Sequence, residues 1–332
     1  VDGRAAVDVL TGPPRAMQRY VLQRYVASPL TLLGHKFDTR WWVLVTSIEP
    51  LRIFAAPDAL VRTSAVPYAA ADAADRCAHL TNGKVQKRCR QHLAQRRWPE
   101  AGPAPDPQGM RDLGQSDLAR RFGDPALPGQ LRDAMGMPLS TPASAATVED
   151  LRRATLSAIT RTVLLGLPEL RKQRDATRAA GFLLLAVDVV YDDEAMVPWV
   201  LEVNTNGYLG AGLLEVSRAL GVDILQDMFR LAGAAGFDRS GYQERLEAMV
   251  EGRLREQPVV PSSARTELIR RVQAAVDELT HRGSWEPAYP WPQRETDGAV
   301  ESLARLQDGL RDKSADDLAR EIALLGGTGS VL

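Results

Sequence analysis

The chain has 332 residues, 41 basic against 42 acidic side chains and a formal net charge of −1. That length holds one large domain or two modest ones, and the balanced charge excludes an overall field that would draw nucleic acid or an anionic membrane. No apolar run is long enough to span a bilayer. The two cysteines, Cys77 and Cys89, fit a reducing compartment better than a disulfide-built secreted domain. No signal peptide is read, and a start at Val1-Asp2-Gly3 rather than Met is what a fragment or a processed product would show.

Residues 1–17 form a short lead broken at Gly12-Pro13-Pro14. Residues 18–26, QRYVLQRYV, alternate and predict a strand. A short apolar run at 30–33 and a turn at Gly34-His35 follow, then a strand over 36–47, KFDTRWWVLVTS. Residues 51–56 and 59–63 predict a hairpin around Pro57-Asp58. This density of strands argues for an antiparallel sheet rather than βαβ units. Residues 83–147 are rich in Pro and Gly, with a basic run from Lys84 to Arg97, and predict a disordered or flexible insertion whose part 98–147 is dispensable for stability. A helix is expected from about Thr147 through Leu151, Leu156, Ile159, Val163 and Leu164. After Gly210 the pattern is helical, with candidates at 213–220, 224–235, 242–255, 265–282, 300–311 and 315–325. A loop at 284–291 holds two Pro and two Trp.

The stretch 182–209 carries the sharpest chemical signal. Two apolar runs flank an acidic turn at Asp192, Asp193 and Glu194. With the turn centred near Ala195, Asp188 falls opposite Glu202, and Asn204 shares the face of Glu202. Two carboxylates and an amide oxygen on a greasy hairpin suit a hard divalent cation such as Mg²⁺. The plain alternative is two half-exposed acids beside a turn. Lys36, Asp38 and Arg40 share one strand face and suit phosphate, or are an exposed charged strand end. Arg62 alone reads as a surface residue, and His79-Leu80-Thr81-Asn82 as a turn or a helix cap. No nucleophile elbow and no zinc-ligand spacing is present.

The order of these pieces carries more than any one of them. The runs QRYVASPLTLLGHKFDTRWWVLVTSIEPLRIFAAPDALVRTSAVPY, CAHLTNGKVQK and AVDVVYDDEAMVPWVLEVN resemble the tubulin tyrosine ligase and tubulin tyrosine ligase-like family. Its members carry QKY-ENPL, KFD-R, LVTS, PLRIY, VR-S-PY, HLTN and FD-D-PWLLEVN in this order. The resemblance covers about residues 18–87 and 180–209.

What the resemblance implies is an α+β chain: the C-terminal portion of an ATP-grasp fold, a mostly antiparallel sheet with packed helices, and a helical C-terminal extension. Residues 1–17 would lead from an upstream lid, 18–235 would form the ligase domain, and 236–332 the extension. The activity implied is ATP- and Mg²⁺-dependent ligation of Glu, Gly or Tyr to a protein carboxylate, with tubulin or microtubules as partner, in the cytoplasm, at the cytoskeleton or in a cilium. Gln23, Arg24, Tyr25 and Val26 would meet adenine. Lys36, Asp38, Thr81 and Asn82 would bind ATP, and Arg40 would lie beside its phosphates. Arg62 and Lys87 would face the amino acid, and Asp188, Glu202 and Asn204 would hold Mg²⁺. Lys36, Arg40 and Arg62 would be the catalytic cations.

The chain departs from the family's pattern at Arg24, where the family has Lys, at Ala186-Val187, where Gly often precedes the metal Asp, and at Gly83-Lys84 after HLTN. Only about 20 residues precede the hinge segment, with no Gly-rich loop in view. The expectation is therefore weak ATP binding and no measurable ligation by the chain as given. The alternatives are a catalytically incomplete member that binds tubulin or nucleotide, and an ATP-grasp ligase for a non-tubulin carboxylate.

Overall fold

A computed structural model describes residues 23–71, 74–95, 119–122, 130–132, 145–177, 181–205, 215–234, 236–244, 247–248 and 262–289. In chain order these hold β1 (Thr31–Leu32), β2 (His35–Ile48), β3 (Leu51–Ala55), β4 (Leu60–Thr63), α1 (Arg76–His79), α2 (Gly83–Gln95), β5 (Ala119–Arg121) and β6 (Leu131–Arg132). Next come α3 (Ala145–Thr177), β7 (Leu183–Tyr191), β8 (Pro198–Asn204), α4 (Glu215–Leu231), α5 (Ser262–His281) and β9 (Glu286–Tyr289).

The fold is mixed α and β, built on an antiparallel sheet of nine strands among the described residues. The 14-residue strand β2 is its axis. On one side it pairs with β4 and then β3, on the other with β1 and then β7. β8 extends the sheet beyond β7 and β9 extends it beyond β3. A two-residue turn joins β1 to β2, with Leu33 at φ 51° and Gly34 at φ 83°. Both angles are positive, as the right-handed twist of a tight hairpin requires.

Strand alternation divides β2 between two cores. Phe37, Trp41, Val43 and Val45 face one core with Leu185, Val187, Val189 and Tyr191 of β7. α3 closes that side because Leu151, Leu156, Ile159, Val163, Leu164 and Leu167 fall on one helical stripe, all buried. Burying a side chain such as Ile159 is worth roughly 2 kcal/mol. Trp42 and Leu44 face the other way and meet Ile224, Met228 and Leu231 of α4 and Val272, Ala275 and Val276 of α5. The remaining residues on this second face, towards the N-terminal end of β2, are the charged ones.

The structure corrects several sequence expectations. Residues 18–22 lie outside the described residues, and 23–26 form no strand. The segment 83–147 holds α2, β5 and β6. β5 pairs with β4, and β6 with β1. Phe122 and Leu131 from this segment are buried in the first core, contacts that the expected dispensability of 98–147 does not include. Residues 284–291 contain β9 rather than only loop, with Pro287 tolerated because, among the described residues, the strand pairs with β3 on one side. The expected break between 220 and 224 is absent, and α4 runs through it. α5 belongs to the second core and shares it with the sheet, across the boundary expected at 235/236. Most of 242–255 and all of 300–311 and 315–325 lie outside the described residues. Among the described residues no helix is long and apolar enough to cross a membrane.

Candidate functional site

The charged half of the second face brings β2, β4, β7 and β8 together. Asp188 pairs directly with Arg40 across β2–β7 and with Glu202 across β7–β8. Asp38 pairs with Arg62 across β2–β4. Non-adjacent residues on one strand thus share a face, and the ladders set Lys36, Asp38, Arg40, Arg62, Asp188, Glu202 and Asn204 side by side. The spacing of Asp188 and Glu202 expected from the acidic turn is the register observed.

Two bidentate forks organise the cluster. Arg40 Nε and Nη2 donate to Asp188 Oδ1 and Oδ2, both at 2.7 Å. Arg62 Nε and Nη2 donate to Asp38 Oδ1 and Oδ2 at 2.6 and 2.8 Å. Arg62 Nη2 also reaches Asp188 Oδ2 at 2.9 Å, so one guanidinium ties both acids. Planar forks of this kind are what Arg supplies and Lys does not. Burial works against ionisation of Asp188, but the hydrogen bonds and charges of Arg40 and Arg62 outweigh it and hold the carboxyl below its usual range. Burial likewise opposes the charge on Arg62, and Asp38 with Asp188 restores it.

Glu202 differs from these acids. Its side chain is 59% exposed, Arg40 Nη2 lies 4.0 Å from its Oε1, and Asn204 Nδ2 donates to the same oxygen at 3.0 Å. Asp188, Glu202 and Asn204 are all oxygen donors on adjacent paired strands, and this set fits a hard divalent cation. No group of three His, Cys, Asp or Glu is gathered among the described residues, and the third donor of this set is the Asn204 amide. The cation would share Asp188 with the two arginines.

Lys36 is 8% exposed at the edge of the cluster. Its Nζ lies 4.5 Å from the Tyr25 ring centroid and donates to Tyr25 OH at 3.0 Å. Tyr25 OH in turn lies 2.5 Å from His79 Nδ1. Burial lowers Lys36 to about 8, with Asp38 acting in the opposite direction. Sequence reading did not foresee this aromatic support, although His79 heads the HLTN segment it singles out. Thr81 Oγ1 donates to Asp38 Oδ2 at 2.5 Å, which brings the turn after α1 to the cluster. Asn82 Oδ1 instead accepts from Lys84 N at 2.9 Å, capping α2. Gln23 Nε2 donates to Leu201 O of β8 at 3.1 Å, Arg24 is exposed and Val26 is partly buried. Lys87 is exposed on α2, and among the described residues no contact joins it to the cluster.

Cys77 and Cys89 form a disulfide between α1 and α2, with Cα atoms 5.7 Å apart. Sequence reading foresaw no pairing, because a spacing of 12 residues has no local signature and depends on how two helices fold back.

The class of molecule is thus an antiparallel α/β domain with a charge-balanced, oxygen-rich site at one end of a sheet face. Residues 8–100 match the Tubulin-tyrosine ligase family. The chain is 25% identical to the tubulin monoglycylase TTLL3 of Homo sapiens over 316 residues, 89% of this chain and 36% of that protein. It is 26% identical to the tubulin polyglutamylase ttll6 of Danio rerio over 322 residues, 92% of this chain and 37% of that protein. With the tubulin polyglutamylase TTLL5 of Homo sapiens the identity is 28% over 218 residues, 65% of this chain and 15% of that protein. The resemblance to the tubulin-tyrosine ligase family carried by the motifs is therefore shown. The chain spans about a third of the length of the first of these relatives.

Proposed function

We propose that this chain carries the nucleotide and metal face of an ATP-grasp carboxylate–amine ligase of the tubulin-modifying type. The observation that carries the reading is the meeting of Lys36, Asp38, Arg40, Arg62, Asp188, Glu202 and Asn204 on one sheet face. In this reading the reaction joins the amine of a free amino acid (Glu, Gly or Tyr) to a carboxylate on tubulin, in the cytoplasm. A carboxylate oxygen attacks the γ-phosphorus and ADP leaves. The amine then attacks the acyl carbon, phosphate leaves and the amine loses a proton. Such chemistry asks the protein mainly for positioning and for charge placed where charge develops.

Arg40 and Arg62 supply that charge in fixed orientation, because Asp188 and Asp38 hold their planes. Lys36 adds a cation whose burial makes it a strong partner for an anion. Asp188, Glu202 and Asn204 would hold Mg²⁺, which when bound neutralises and bridges phosphate oxygens. Thr81, bonded to Asp38, and Tyr25, under Lys36, would border the nucleotide. Arg62, touching two acids at once, would also be placed to meet a substrate carboxylate. The names of the relatives, glycylase and polyglutamylase, support tubulin as acceptor and a small amino acid as donor.

The test is incorporation of radiolabelled Glu, Gly or Tyr into purified tubulin with Mg·ATP, comparing the unmodified chain with Arg62→Ala. Whereas the sequence alone leads to an expectation of no measurable ligation by the chain as given, the site leads to an expectation of ATP-dependent incorporation of one amino acid, lost in the variant. Incorporation that persists without ATP, or that is unaffected by Arg62→Ala, would overturn the reading.

A further inference from the structure

The disulfide encloses the segment that touches the site. Between Cys77 and Cys89 lie Thr81, bonded to Asp38, and Asn82, which caps α2. The ring also contains Gln86, 1% exposed. Its Nε2 donates to Cys77 O at 3.1 Å and to Leu80 O, and its Oε1 accepts from Ala65 N at 2.6 Å. The turn from α1 to α2 is therefore tied covalently at its ends and by one buried amide across its middle. Its outward tie to the sheet cluster is the hydroxyl of Thr81.

We propose that Cys77 and Cys89 are a thiol–disulfide exchange site whose redox state sets the hold of the 80–86 turn on the Asp38 side of the nucleotide face. The coupling to nucleotide rests on the proposed function. In the reducing compartment of that reading, a structural disulfide is out of place and a redox-sensing one is the usual kind. Cys77 is partly exposed and Cys89 is buried, so a thiolate reaches Cys77 Sγ first. The attacking sulfur bonds to Cys77 Sγ, the S–S bond breaks, and Cys89 leaves as a thiolate that takes up a proton. When the reductant is a dithiol, its second thiolate displaces Cys77. Cys77 then takes up a proton, and the dithiol is left oxidised by two electrons. Freed of the covalent tie, the turn keeps the Gln86 amide and the Asn82 cap of α2, and Thr81 loses the covalent constraint that helps keep it on Asp38.

The test uses the whole chain, oxidised, after treatment with dithiothreitol, and as the Cys77→Ser, Cys89→Ser double variant. Amide hydrogen exchange at 80–86 and the Kd for Mg·ATP are measured in each. Reduction and double substitution should speed exchange at 80–86 while α3 and β7 stay protected. Both should weaken Mg·ATP binding about tenfold, the scale of one hydrogen bond to a charged group. Unchanged exchange at 80–86 overturns the proposal whether or not nucleotide binds, as does loss of protection throughout α3 and β7, which would make the bond a plain structural staple. No Mg·ATP binding by the oxidised chain overturns the functional reading and with it the coupling.

Discussion

Among the described residues, two arginine–carboxylate arrays are buried on this sheet, and they do different work. Arg52 on β3 grips Glu278 on α5 through Nε and Nη2 at 2.6 and 2.9 Å, and Thr46 Oγ1 adds a third bond at 3.0 Å. That array joins a helix to the sheet. The array of Arg40, Arg62, Asp38 and Asp188 lies within the sheet, on β2 and the two strands laddered to its sides, with Thr81 of the α1–α2 turn bonded to it. Two residues further along the same face the chain places Trp42 and Ala186 in an apolar core. Buried ion pairs rarely stabilise more than the apolar residues that could replace them, so the strand array is better explained by what it meets than by what it holds together. Glu202, left 59% exposed beside it, points the same way.

Glu202→Gln breaks the comparison from the functional side and carries the largest expected effect. The amide keeps the shape and loses the charge a cation needs. ATP-dependent ligation or hydrolysis should fall by about a hundredfold or more, with the thermal midpoint unchanged because the side chain is mostly exposed. Activity near the unmodified level would remove the metal assignment. On the structural side, Glu278→Ala leaves Arg52 buried without its partner and should cost about 3 to 5 kcal/mol in urea unfolding. A change below about 1 kcal/mol would erase the distinction between the arrays.

Phe122→Ala asks whether the segment around β5 belongs to the same core. Phe122 packs edge-on against Trp41 at 5.0 Å and beside Tyr191 at 6.5 Å between ring centroids. A loss of about 3 kcal/mol is expected on urea unfolding, and no loss would return the segment to the role of a dispensable insertion.

The smallest effect is the acid limb of stability. Asp188 is held below its usual range in the folded chain. Its contribution is therefore complete above the ordinary Asp value of about 4 and is lost as pH falls through the lowered folded value. Lys36 gives a slope of the same sign in an alkaline window. Its folded value is lowered to about 8, so between there and the ordinary Lys value of about 10.4 the unfolded chain binds a proton that the folded chain does not. Its part of the stability rises across that window. Urea titrations at stepped pH read both, with Asp188→Asn and Lys36→Met flattening the respective limbs, and limbs unchanged in the variants would contradict the assignments.

The site was more legible than the fold around it, for a physical reason. Asp188, Glu202 and Asn204 lie on one hairpin, where a period of two and a single turn fix which residues face each other. Lys36, Asp38 and Arg40 lie on one strand, where the same period applies. The residues that escaped notice depend on distant partners. β6 is a two-residue strand that exists because β1 offers it an edge, and β9 carries a Pro that argues against a strand unless its pairing is known. The Cys77–Cys89 bond and the Gln86 tie depend on how α1 and α2 fold back on each other. Tyr25 and His79 are 54 residues apart and meet only across the folded sheet edge.

Titration calorimetry of ATP against the whole chain, once with Mg²⁺ and once with EDTA, tests most directly whether the strand array is a nucleotide–metal site. Run on the unmodified chain and on Glu202→Gln, it should show binding at least about tenfold tighter with Mg²⁺ in the first and no such gain in the second. Equal affinity with and without the cation in the unmodified chain, or the same gain in both proteins, would contradict that assignment.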